Sequence, residues 1–83
     1  MNKDALLKAV ALALDGDWDA SHKIAQDYSD HTANWIHAVL HKIEGDVWNS
    51  NYWYARTAGR RYEEFADSHD ELLHIQRFLS SED

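Results

Sequence analysis

The chain has 83 residues, no cysteine, no proline, three glycines and a net charge of −7 with its histidines neutral. That length makes one domain, near the size where a single core gives only marginal stability. The absence of cysteine excludes a disulfide framework, a thiol nucleophile and a cysteine-ligated zinc, and the acidic balance argues against duplex nucleic acid and anionic membrane surfaces as partners. At 45% hydrophobic and 12% aromatic the chain can build a core. Helix formers outnumber β-branched residues, so the fold class expected is all-α.

The first helix is expected from about Lys3 to Leu14, with Asn2 as N-cap. Asp4 and Lys8 interrupt the apolar run that superficially resembles a signal peptide, and no stretch approaches the roughly 18 apolar residues of a membrane span. A cytoplasmic chain is the expectation. Ala5, Leu6, Leu7, Ala9, Val10, Leu12 and Leu14 cover most of this helix, which predicts a largely buried element or one in a subunit contact. Asp15-Gly16-Asp17 stops it, and Asp17 can cap a second helix over Trp18 to Tyr28. Ser29-Asp30 makes the next break. A third helix follows over His31 to Glu44, then a Glu44-Gly45-Asp46 turn and a fourth helix from Val47 to Ala58 with Gly59 at its C′ position. Val47, Tyr54 and Ala58 mark that helix's packing side. Tyr62 to Ala66 can form a short helical turn. Ser68 with Glu71 has the spacing of a capping box for a fifth helix to Leu79, whose apolar face is Leu72, Ile75, Phe78 and Leu79, with a frayed tail over residues 80–83.

The two turns lie 29 residues apart, and small residues accompany each at the same distance: Ala9 and Ser21 around Gly16, Ala38 and Ser50 around Gly45. Small residues on either side of a Gly-Asp corner let antiparallel helices approach closely. Ala38, Gly45-Asp46, Ser50, Tyr54 and Thr57 in one half, and Ala9, Gly16-Asp17, Ser21 and Ala25 in the other, resemble the tetratricopeptide repeat over about residues 4–58. The stretches GDWDASHKIAQ and WIHAVLHKIEGD…YWYARTAGR also resemble a family of small bacterial proteins of unassigned function. The resemblance implies two antiparallel hairpins in a right-handed stack, about 3–28 and 31–59, with the helix at about 68–79 as a cap on one 83-residue domain. The repeats are shorter than the usual 34 residues and lack the terminal proline. The repeat's register also turns Asn34, His37 and His41 toward the fourth helix, so either that register is wrong or polar groups are buried there, with Asn51 and Tyr54 as their partners.

Two constellations carry candidate chemistry. Asn34, His37, His41 and Glu44 share one stripe about 80° wide on the third helix. The His-x3-His pair can chelate a transition metal, with Glu44 and Asn51 as further donors, or act as an acid–base pair; ordinary hydrogen bonding or solvent exposure is the plainer alternative. Asn49, Trp53, Arg56 and Arg60 fall on one stripe of the fourth helix with Tyr52 beside it, a pattern suited to a partner's carboxylate or planar group. Its plainer alternative is arginines covering a core tryptophan and pairing with Glu63, Glu64 or Asp67. Trp18 and Trp35 read as packing anchors, and His22 with Gln26 as a solvated face. The function expected first is a non-catalytic module binding another protein or a second copy, with no cofactor. The alternative is a small-molecule or metal-binding protein centred on His37, His41 and Glu44.

Overall fold

The computed structural model describes residues 1–81. Among these residues are five α-helices and one 3-10 turn: α1 Lys3–Leu14, α2 Trp18–Ala25, α3 His31–Ile43, α4 Val47–Tyr54, the 3-10 turn Tyr62–Glu64, and α5 Ser68–Ser80. No strand occurs among the described residues, and none of their helices is long and apolar enough to cross a membrane.

Each start has a local cause. Asn2, Asp17, Asp30 and Asp46 accept from the backbone amides of Ala5, Ala20, Ala33 and Asn49, satisfying donors that the first helical turn leaves free. The two corners repeat bond for bond. Gly16 and Gly45 adopt φ of +87° and +81°, where a side chain would be strained. The Asp17 amide reaches Leu12 O at 2.8 Å, and the Asp46 amide reaches His41 O at 2.9 Å. Across each hairpin a buried serine crosses to the facing helix: Ser21 Oγ donates to Ala9 O at 2.6 Å, and Ser50 Oγ to Ala38 O at 2.7 Å. The two halves are thus built alike at the 29-residue offset that the sequence indicates.

The second helix of each hairpin is shorter than its periodicity suggests. Beyond Ala25 and Tyr54 the bonds tighten to i→i−3, from Asp27 and Tyr28 in one case and Arg56 and Thr57 in the other. In α4 side chains enforce the stop: Thr57 Oγ1 donates to Tyr54 O at 2.7 Å, and Asn34 Nδ2 takes the Arg56 carbonyl at 3.1 Å. Gly59 is therefore not the helix's C′ residue, and Ala58 sits in the left-handed region at φ +63°. Val47 is exposed rather than packed.

Leu6, Ala9 and Val10 of α1, Ala25 of α2, Ala33 and Trp35 to Leu40 of α3 apart from His37, and Leu72, Ile75 and Leu79 of α5 form the core, with Tyr54 of α4. The fifth helix packs on α1 and α3, covering the face the hairpins leave open. Its N-cap is Asp67, which accepts from the His69 amide, not Ser68. Glu71 is turned inward instead of closing a capping box. Phe78 is half exposed. Of the expected tail, Ser80 belongs to α5, Ser81 follows it as C-cap, and residues 82–83 lie outside the described residues.

Candidate functional site

His22, His37 and His41 converge where α2 packs on α3, and one nitrogen from each ring lies within 4.8 Å of the other two. The i, i+4 spacing stacks His37 on His41, with ring centroids 5.0 Å apart. His22 enters from α2 and meets both edge-on, at 4.6 and 5.4 Å. Its neighbour Ser21 seals the seam to α1, so the next position round the helix projects toward α3.

Each imidazole has its own positioning partner. Trp18 stacks on His22 at 4.8 Å and is itself anchored by Nε1 donating to Leu40 O at 2.7 Å. Trp53 stacks on His37 at 4.0 Å. His41 Nδ1 lies 2.6 Å from Glu44 Oε1; donating its proton there leaves the lone pair of the neutral ring on Nε2. The rings of His22 and His37 make no hydrogen bond to protein among the described residues. Burial, followed by the fields of His22 and His41, brings His37 down to about 4, so its ring is neutral near pH 7. Burial, then His41, lowers His22 as well, against weaker opposing pulls from Glu44 and Asp19.

A second group shares His41: Glu44 and Asp46 lie within the same reach of it. Both carboxylates are already engaged, Glu44 with His41 and Asp46 with Asn49 Nδ2 at 2.7 Å as well as the cap. The hydrogen bonds from Asn49, side chain first and backbone second, hold the Asp46 carboxyl below its usual value.

The other residues singled out from the sequence are dispersed. Asn34 is buried, with its amide on the Ser29 and Arg56 carbonyls. Asn51 is exposed and returns to Val47 O within its own helix. Tyr54 donates to Glu71 rather than to α3 histidines, and that carboxylate, after burial, raises its phenol far above the ordinary value. Polar groups are indeed buried between α3 and α4, but an aromatic face, Trp53, receives His37. Because α4 ends at Tyr54, the expected stripe divides. The Arg56 guanidinium lies 3.7 Å over Tyr52, and that of Arg60 3.8 Å over Trp35; neither pairs with Glu63, Glu64 or Asp67. Tyr52 meets Trp53 edge-on and stacks on Trp48, which is 74% exposed.

His22, which with Gln26 reads from the sequence as part of a solvated face, is partly exposed and belongs to the cluster. Its pairing with Gln26 on α2 is uninformative, because the contact that matters is to a different helix. No protein-family model matches the chain, and no match was found among the curated proteins or the solved structures.

Proposed function

We propose that the protein binds a late first-row divalent metal ion, zinc or a neighbour such as cobalt or nickel, through His22, His37 and His41. The reading rests on one observation: three imidazole nitrogens from two helices lie within 4.8 Å of one another. An ion about 2.1 Å from each nitrogen needs them roughly 3.4 Å apart in tetrahedral geometry. Ring rotations at the partly exposed His22 and His41 can close that gap. A stacking partner or carboxylate on every ring limits the entropy lost on closure. Three nitrogen donors suit these ions and leave a coordination position to solvent.

Titration of EDTA-treated protein with zinc, cobalt and nickel tests this. One ion should bind per chain with a change in Trp18 and Trp53 fluorescence. At a free ion concentration one hundred times Kd, the gain is about 2.7 kcal/mol, or an increase in Tm of roughly 10–20 °C for a domain this size. His37→Ala and the less buried His22→Asn should both abolish the response, whereas His69→Ala should keep it. Wild type that binds none of the three ions, or variants that bind as wild type does, would refute the site.

A second reading, association with another protein or a second copy, is favoured by the Val47, Trp48, Tyr52 and Arg56 surface, where an exposed indole stacks on Tyr52 and an arginine covers the same ring. Light scattering over increasing concentration checks the self-association form: wild type should gain mass and Trp48→Ser should not. A monomer in both rejects it.

A further inference from the structure

Arg60, released from the α4 stripe by the early end of that helix, occupies a different place. A cavity of about 320 Å³ lies between the first turn of α3, the turn after α4, the 3-10 turn and α5, walled by His31, Thr32, Trp35, Arg60, Glu64 and Phe78 among others. That volume is at the lower end of small-molecule sites and far larger than a bare ion requires.

The wall is chemically asymmetric. The Arg60 guanidinium rests 3.8 Å over the Trp35 ring and 5.9 Å from that of Phe78, and makes no hydrogen bond or ion pair among the described residues. Stacking occupies the faces of a guanidinium and leaves its edge N–H groups available. Trp35 cannot turn away, because its Nε1 donates to Glu71 Oε2 at 2.8 Å. Thr32 is 9% exposed, and its hydroxyl has no partner among the described residues. Since no buried side-chain oxygen among the described residues is orphaned, that hydroxyl reaches open space, and the cavity is what Thr32 lines. Asp30 satisfies the Ala33 amide, leaving the amides of His31 and Thr32 without acceptors among the described residues, at the positive end of a 13-residue helix. Phe78, exposed where an apolar helix face was expected, supplies an apolar wall.

We infer that this cavity binds a small organic monocarboxylate, its oxygens on Arg60, Thr32 and the first amides of α3, its apolar body against Phe78. Only one guanidinium faces the space and the Glu64 carboxylate stands in the same wall, so a single negative charge suits it better than a dianion. Room beside the charged end accommodates an aryl or short aliphatic group. The site is separate from the histidine cluster, so either can fail without the other.

Amide NMR of the full chain with benzoate, benzyl alcohol and inorganic phosphate as probes tests the inference. Benzoate should give saturable shifts at the His31 and Thr32 amides and the Trp35 indole N–H, with Kd in the millimolar range. Benzyl alcohol should give none. Arg60→Gln should weaken benzoate at least about tenfold, Arg60→Lys by less, and the shape-conserving Thr32→Val should weaken it measurably. No saturation by about 50 mM benzoate overturns the site. So does equal binding of benzyl alcohol, or of benzoate to Arg60→Gln, and tighter binding of phosphate overturns the choice of a monocarboxylate.

Discussion

Glu71 carries a carboxylate with no exposed surface, and the side chains that bond it come from α3 and α4 rather than from its own helix. Lys42 Nζ approaches Oε1 at 2.8 Å, while Tyr54 OH and Trp35 Nε1 donate to Oε2 at 2.7 and 2.8 Å. The same ammonium donates to the Tyr62 and Phe65 carbonyls at 2.9 Å, so one ion pair ties α3, α4, α5 and the 3-10 turn together. Burying such a pair brings little net stability, but removing one partner strands a charge. Lys42→Met is therefore expected to cost about 3–5 kcal/mol, and adding Glu71→Gln should cost less than the two separate losses combined. Urea denaturation measures both, and a loss below about 1 kcal/mol for Lys42→Met would contradict this account. The sequence offers Glu71 as a capping partner of Ser68 because local spacing is all it contains; the pull of Lys42, 29 positions away, exists only after folding.

Among the elements, the hairpins were the most legible feature. A Gly that must adopt positive φ, an Asp that can cap and a serine small enough to sit in a seam are local requirements, and the chain meets them twice, once at each corner. Helix starts were equally readable, since Asn2, Asp17, Asp30 and Asp46 act within a turn of themselves. The ends of α1, α3 and α5 fall within a residue of expectation, but those of α2 and α4 do not. Nothing in the periodicity of residues 47–58 announces that Asn34 will capture the Arg56 carbonyl and stop α4 at Tyr54. That difference separates Arg60 from Arg56 by placing one on Trp35 and the other on Tyr52, and so replaces one expected surface with two.

For the molecule as a whole, the histidine cluster links folding to pH. An unfolded imidazole titrates near 6.5, and burial brings His37 to about 4 and lowers His22 too. Between those values the unfolded chain binds the additional protons, so stability rises with pH across the window and is lost as pH falls through it. With EDTA present, the urea midpoint should be steady above about pH 7 and drop as pH falls from roughly 6.5 toward 4, with a shallower drop in His37→Gln. Equal slopes for the two proteins would exclude His37 as a source. The sequence by itself determined the all-α class, the repeated Gly-Asp corners and the His37–His41 pair, because each follows from the chain's conformation within a few residues. Only the tertiary structure decided that His22 completes the cluster, that Glu71 is buried and that Arg60 stands over Trp35. Those contacts join residues 15, 36 and 25 positions apart, brought together by helix packing that no local pattern encodes.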